Sequence, residues 1–154
     1  MKEVDLSDSL LANLSSNLNL NEKELKQSLQ KLLEDLIQPS IPTSIFTNKL
    51  TPLESIVKYL KEEKQLNFHQ ISLLIKRNEK NIWQTYHTAK KKFPKRFKTT
   101  TSEIQIPLNI FSSTIPPMKT IVKYLHEKRL LSYHNIGLLL NKNERTIWTA
   151  YHRK

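Results

Sequence analysis

Residues 131–148 have the sequence Leu-Ser-Tyr-His-Asn-Ile-Gly-Leu-Leu-Leu-Asn-Lys-Asn-Glu-Arg-Thr-Ile-Trp, and the fold prediction starts from this stretch. Apolar Ile136 is followed by the small Gly137, and a short polar run separates the leucines from Ile147. The small residue allows two helices to approach closely, and the apolar positions on either side of the polar run hold them at a fixed angle. Ser132 and Asn143 are suitable N-caps for the two helices. The stretch therefore predicts a helix-turn-helix unit.

The same unit occurs earlier in the chain, at an offset of 65 residues. Residues 41–89 align with residues 106–154 without a gap and share 22 identities in 49 positions. The segments Ile-Pro-x-x-Ile-Phe, Ile-Val-Lys-Tyr-Leu and Ile-Trp-x-x-Tyr-His are present in both copies. Internal repetition of this kind indicates two copies of one structural unit.

The sequence pattern of each copy predicts three helices, so we expect an all-α fold. In the first copy, Thr51 and Glu54 form a capping box around Pro52 at the start of the first helix. Asn67 and Asn78 are expected to cap the second and third helices. Apolar periodicity places the same side chains inside both copies. These are Ile56, Leu60, Ile71, Leu74 and Ile82, with their counterparts Ile121, Leu125, Ile136, Leu139 and Ile147.

Composition narrows the class of function. The 154 residues carry a net charge of +11, with 25 basic and 14 acidic side chains. Residues 1–40 are acidic, so the excess of basic residues belongs to the repeats and their linker, and a polyanion is the expected partner. The chain has no Cys and one Gly, which excludes disulfide frameworks, Cys-type zinc fingers and glycine-rich phosphate loops. No apolar run approaches the length of a membrane-spanning helix, and we expect a cytoplasmic protein without a signal peptide.

Residues 131–148 and their counterparts in the first copy resemble the helix-turn-helix of the domain with which bacterial sigma factors read the promoter −35 element. The resemblance covers about 25 residues per copy. It implies that the third helix of each copy enters the major groove of DNA. The turn residue, usually Gly, is Lys76 or Asn141 here. RNA polymerase would be a partner of a complete sigma factor, but no polymerase-binding region is visible in the sequence.

The candidate DNA-binding residues lie on the third helices and beside them. Exposed polar side chains of a helix in the major groove can bond base edges and phosphates. The second helix crosses the DNA backbone in this motif, so its first-turn histidines are candidates for phosphate contact. The candidates are Lys80, Asn81, Gln84, Thr88, Lys90, Lys91, Lys92, Arg145, Thr146, Thr149, Arg153, His69 and His134.

Two further features leave alternatives open. The basic run from Lys90 to Lys98 contacts the DNA backbone, enters a minor groove as an arm, or is a solvated tether. Trp83 and Trp148 either bond a phosphate or pack on the repeated Ile-Pro-x-x-Ile-Phe arm, and we expect the packing. No pair of histidines has the spacing of a helical metal site, and no catalytic arrangement repeats. We expect no metal, no cofactor and no enzymatic activity.

The acidic N-terminal segment contains one strong helix, capped by Asn21 with Glu24. Leu25, Leu29, Leu32 and Leu36 follow at the spacing of a short coiled-coil seam. Residues 21–38 are therefore either a homodimer or partner helix, or a helix that packs on the first copy.

The predicted organisation has four parts. Residues 1–40 form an acidic helical segment, residues 41–92 the first helix-turn-helix domain, residues 93–105 a basic linker, and residues 106–154 the second domain. The predicted function is double-stranded DNA binding by a nucleoid-associated transcriptional regulator. The alternatives are an architectural DNA-binding protein with little sequence preference, or an adaptor that binds protein or RNA.

Overall fold

The computed structural model describes residues 12–14, 16–17, 21–37, 39–99 and 104–154. Over these residues the chain is mostly helical, which confirms the all-α class at that level. It divides into two compact units, Met1–Gln38 and Pro39–Lys154.

The first unit contains helix α1, Glu22–Ile37. Its predicted capping box is confirmed, because the Glu24 amide donates to Asn21 Oδ1 at 2.8 Å and the Asn21 amide donates to the Glu24 carboxylate at 3.4 Å. Leu25 is buried, Leu29 is half-buried and Leu32 is 57% exposed. The side chain of Leu36 lies outside the described residues. The homodimer surface over residues 21–38 stays a prediction.

The first repeat forms three helices, α2 (Pro52–Glu62), α3 (Phe68–Ile75) and α4 (Glu79–Lys92). Each begins at the predicted cap. Thr51 accepts a hydrogen bond from the Glu54 amide at 3.2 Å, and the Glu54 carboxylate accepts one from the Thr51 amide at 2.9 Å. Asn67 and Gln70 form the equivalent box at the start of α3. These bonds satisfy amides that a helix start leaves without partners.

The second repeat follows the same plan. Helix α5 (Pro117–Lys123) continues as a π-helical turn over Tyr124–Lys128, and α6 (Tyr133–Leu140) and α7 (Glu144–His152) follow. Ser132 accepts from the Asn135 amide at 3.2 Å, and Asn143 accepts from the Thr146 amide at 2.8 Å. Both predicted caps are confirmed.

The connection between the second and third helices is short in both repeats. Lys76 and Asn141 adopt left-handed backbone angles, with φ of 53° and 52°. A left-handed residue ends a helix and satisfies its last carbonyls. A Cβ atom added at Gly137 would lie 2.7 Å from the carbonyl oxygen of Lys142. The backbone of α6 therefore lies close to the backbone of the turn, as we predicted from the small side chain at position 137.

A two-stranded antiparallel sheet joins the repeats, and the sequence did not predict it. Strand β1 (Ser40–Pro42) pairs with β2 (Gln105–Pro107), and Ile41 lies opposite Ile106. Beyond the strands, the Thr43 amide donates to the Ile104 carbonyl at 3.3 Å and the Leu108 amide to the Pro39 carbonyl at 3.0 Å. Equivalent residues of the repeats exchange these bonds, so the two arms are related by an approximate two-fold axis. Strands of three residues that contain Pro give no alternation signal.

Each arm packs on the other repeat. The 3-10 turn Thr43–Ile45 after β1 contacts α6, and the turn Leu108–Ile110 after β2 contacts α3. Side chains at the helix connections secure this exchange. The Asn141 amide group donates to the carbonyl of Phe46 at 2.6 Å. In the other direction, Arg77 donates to the carbonyls of Ser113 and Ile115 at 3.3 and 2.9 Å.

The core of the second unit contains residues of both repeats, and α2 contacts α5 across it. Most of the predicted core positions are confirmed, because their side chains are fully enclosed. These are Ile56, Leu60, Ile71 and Ile82, with Ile121, Leu125, Ile136 and Ile147. Leu74 and Leu139 are only half-buried, so that part of the prediction was wrong. Ile71 and Ile75 already occupy the inward side of the short α3, which leaves Leu74 at the edge.

Candidate nucleic-acid interface

The third helix of each repeat presents a polar side to solvent. In α4, the predicted contact residues Lys80, Asn81, Gln84 and Thr88 are all exposed, while Ile82 anchors the opposite side in the core. In α7 and its C-cap, the predicted residues Arg145, Thr146, Thr149 and Arg153 are exposed, and Ile147 is the anchor. Each helix therefore offers a continuous row of hydrogen-bonding side chains.

Two of these side chains are engaged within α7. The Thr146 hydroxyl donates to Asn143 Oδ1 at 2.7 Å, and the Thr149 hydroxyl donates to the Arg145 carbonyl at 2.8 Å. Their oxygens can still accept hydrogen bonds, but their protons are already used. Arg145 and Arg153 have side-chain donors that no described residue of the chain engages. These two guanidinium groups are the strongest donors that α7 offers.

The predicted histidines lie across the turn from the third helix. His69 Nδ1 is 3.2 Å from the Glu79 carboxylate, and His134 Nδ1 is 3.6 Å from that of Glu144. About two-thirds of each histidine side chain is exposed. The His69–Glu79 contact therefore joins the start of α3 to the start of α4. A phosphate at either histidine would lie beside a carboxylate.

Both tryptophans stack on a histidine instead of packing in the core. The rings of Trp83 and His87 are 3.9 Å apart, and those of Trp148 and His152 are 4.3 Å apart. The indoles are 49% and 50% exposed. The arms, on which we expected them to pack, contact the second helix of the opposite repeat. The indole rings therefore form part of the exposed surface of α4 and α7.

The lysines that end α4 are largely committed to the protein itself. Lys90 Nζ lies 2.8 Å from the Glu62 carboxylate, and Lys92 Nζ lies 2.8 Å from that of Glu54. The hydrogen bond to Glu62 raises the pKa of Lys90 above its ordinary value. Lys91, between them, is exposed and has no ion pair among the described residues. Of the three predicted phosphate contacts, Lys91 is the one that the fold leaves free.

The segment after α4 is not a solvated tether over its first residues. Phe93 and Phe97 stack with ring centroids 5.6 Å apart, and Phe97 is buried. The fully enclosed Lys58 lies against both rings and donates to the Lys95 carbonyl at 2.7 Å. One signal of this packing was present in the sequence, because Phe93 and Phe97 are apolar residues within a basic run. Residues 93–97 therefore pack on α2.

Glu62 is the acceptor at the centre of this cluster. Lys58, one helical turn earlier, and Lys90 both donate to its carboxylate, and the Tyr86 hydroxyl donates to it at 3.3 Å. Burial by itself would raise the pKa of Glu62, but the hydrogen bonds from Lys58 and Lys90 outweigh it, so its pKa is below the ordinary value. Burial, with the nearby Glu62 carboxylate, raises the pKa of Tyr86. The Glu62 carboxylate is therefore charged at neutral pH and joins α2 to α4. The backbone carbonyl of Glu62 accepts a hydrogen bond from Arg96 of the linker at 2.8 Å.

A cleft of about 390 Å³ lies between the start of α5 and α7. Its lining includes three cationic side chains and no carboxylate. The lining residues are Pro116, Met118, Lys119, Asn143, Arg145, Thr146, Thr149, Ala150 and Arg153. Sequence reasoning missed Lys119, although the alignment of the repeats sets it against Glu54 of the first copy. This reversal of charge between the two copies was the signal in the sequence that could have identified Lys119.

Among the described residues, no group of three or more His, Cys, Asp or Glu side chains could hold a metal ion. No helix in the same part of the chain is long and apolar enough to cross a membrane. No protein-family model, curated protein or solved structure matches this chain.

Proposed function

We propose that the chain binds double-stranded DNA by placing α4 and α7 in the major groove, and that it acts as a transcriptional regulator. In this proposal, α3–α4 and α6–α7 are helix-turn-helix units. The observation that carries it is a repeated one: a left-handed turn residue, a three-residue connection and an N-capped third helix with an exposed polar side occur in both repeats. A recognition helix needs this combination of fixed angle and free polar side chains.

The excess of basic side chains in the repeats favours a nucleic-acid partner over an uncharged partner. Residues 41–154 contain 21 basic and 7 acidic side chains, and residues 1–40 are net acidic. Lysine and arginine near a duplex displace condensed counterions, which makes binding favourable and dependent on salt. In this proposal the chain is a DNA-binding protein of the cytoplasm or nucleoid, not an enzyme, and needs no cofactor. RNA polymerase is a further partner only if the likeness to the sigma-factor domain extends to function.

Arg145 is the proposed base-reading residue. It lies in the first turn of α7, it is exposed, and its guanidinium can bond guanine O6 and N7 together. Copy one has Lys80 at this position, and Lys forms that pair with less defined geometry. We therefore propose that the second repeat discriminates among sequences.

Selection of bound sites from random duplex DNA tests the function. A regulator should recover one sequence and prefer it over random DNA by about 10³-fold or more. Arg145→Ala should then reduce the free energy of binding to the selected site by about 1–3 kcal/mol, and the free energy of binding to a scrambled duplex by much less. Equal losses on both duplexes would favour an architectural protein. No salt-dependent duplex binding by the wild type would reject DNA binding.

One observation favours the adaptor as the second candidate. Leu73 and Leu138 occupy the same position of the two repeats and are 65% and 67% exposed. Exposed leucines at equivalent positions of two repeats are the kind of surface that a protein partner covers. An adaptor would lose partner binding on Leu73→Ser and Leu138→Ser, whereas a DNA-binding protein would keep its duplex affinity.

A further inference from the structure

The cleft beside α7 has three cationic side chains in its lining. Lys119, Arg145 and Arg153 line it, and the rest of the lining is polar side chains and apolar Pro116, Met118 and Ala150. A second concavity of about 380 Å³ shares Pro116, Lys119 and Arg153 with the first and adds Lys154. Lys119 and Arg153 therefore lie where the two concavities meet, and no Asp or Glu side chain lines either of them.

The ammonium group of Lys119 is held in place by the backbone. Lys119 Nζ donates to the carbonyl of Arg153, next to the end of α7. An ammonium group has three donors, so two remain for another acceptor. The Arg153 guanidinium is exposed and has no ion pair among residues 104–154 or the other described ranges. Two positive groups thus lie together with unused donors, an arrangement that an anion would stabilise.

The first repeat shows the same surface with its charge cancelled. The positions of Lys119, Arg145 and Arg153 are occupied there by Glu54, Lys80 and Thr88. Glu54 is buried, and its carboxylate is engaged by the Thr51 amide and by Lys92 at 2.8 Å. The first repeat therefore places its own carboxylate where the second repeat leaves room for an external anion.

We infer that the cleft of the second repeat binds a phosphate of the DNA backbone, with Lys119 and Arg153 as its ligands beside the base-reading Arg145, and that the equivalent surface of the first repeat binds none. This rests on the proposed DNA binding and specifies its geometry. A phosphate contact fixes the register of a recognition helix on the duplex without reading sequence. We expect this contact in the second repeat alone, because the first repeat has Glu54 and Thr88 at the positions of Lys119 and Arg153.

Lys119→Gln in the full chain tests the inference. It should weaken binding several-fold to the selected and the scrambled duplex alike, and it should lower the slope of log affinity against log salt by about 1. Lys119→Arg keeps the charge and should restore both. Lys128→Gln is the matched control, because it removes an exposed lysine from the far end of the same helical segment. Urea unfolding of each variant shows that the fold is retained.

Glu54→Gln provides the reciprocal test in the first repeat. A glutamine can still accept the capping hydrogen bond, but Lys92 loses its charged partner, so the salt slope should rise by up to about 1. A slope for Lys119→Gln equal to that of Lys128→Gln would overturn the inference while leaving DNA binding intact. Absence of duplex binding by the wild type would instead reject the proposed function. Tighter, Lys119-dependent binding to structured RNA would reject DNA as the source of the phosphate.

Discussion

Ile41 lies directly opposite Ile106 in the two-stranded sheet, and neither side chain is exposed to solvent. The two isoleucines are the same position of the two repeats. Their pairing begins the exchange in which each arm contacts the second helix of the other repeat. Residues 39–154 consequently form one compact unit, although the sequence divides them into two copies.

Unfolding of this unit should be a single transition. Trp83→Phe and Trp148→Phe each leave one indole, so fluorescence then reports on one repeat at a time. Ile106→Ala should lower the free energy of unfolding by about 2–5 kcal/mol, because it leaves a cavity where the two arms pair. It should shift the urea midpoints of both single-tryptophan proteins equally. Leu73→Ala, at an exposed position, is the control; midpoints that separate would show that the repeats fold independently.

Gly137→Ala should destabilise the protein by roughly 1–3 kcal/mol, because the new Cβ would meet the Lys142 carbonyl oxygen at 2.7 Å. Ser72, the matched position of the first repeat, already carries a Cβ, and its hydroxyl donates to the His69 carbonyl at 2.7 Å. Ser72→Ala should therefore cost only about 1 kcal/mol. Chemical denaturation of the two variants measures the difference, and equal costs would contradict the close approach.

Glu62→Gln should cost about 3 kcal/mol at neutral pH, because it leaves the enclosed Lys58 without its charged partner. The pKa of Glu62 is lowered in the folded state from 4.5. Its stabilisation is therefore present above that value and is lost as pH falls through the folded pKa. Urea titrations between acid and neutral pH should show a slope in the wild type that Glu62→Gln reduces. Glu127→Gln, at the exposed counterpart in the second repeat, is the matched control.

The three lysines at the end of α4 should differ in their effect on DNA binding. Lys91 is exposed and unpaired among the described residues, so Lys91→Gln should lower the salt slope by about 1 on any duplex. Lys90 is held by Glu62, and Lys90→Gln should affect stability more than affinity. Salt series on the two variants compare them directly. Equal losses of affinity would mean that DNA draws Lys90 away from Glu62.

Removal of residues 1–38 should reduce self-association and leave the second unit folded. The reason is the leucine spacing of α1, on which Leu32 is 57% exposed. Sedimentation velocity of the full chain and the truncated chain tests this. A full-length monomer at micromolar concentration would remove the dimer interpretation.

The sequence was sufficient for everything that depends on local chemistry and repetition. The helix starts follow from side chains that cap their own amides, as at Thr51, Asn67 and Asn143. Helical periodicity placed Ile56 and Ile82 in the core, because inward positions recur at a fixed spacing along one element. The repeat, the caps and the exposed side of α7 could therefore be predicted without knowledge of distant contacts.

Only the tertiary structure decided which repeat each arm packs on and which lysines remain free. Ile41 could satisfy its burial against either repeat, and sequence periodicity carries no information about partners 65 residues away. Lys58 stands among apolar residues of α2 and is enclosed only because Glu62, Phe93 and Phe97 surround it. Lys119 and Lys92 are both plain basic residues in the sequence. The fold places Lys92 beside the buried Glu54 carboxylate and Lys119 in the lining of an open cleft. Charge pairing depends on distances in space, which the order of residues does not determine.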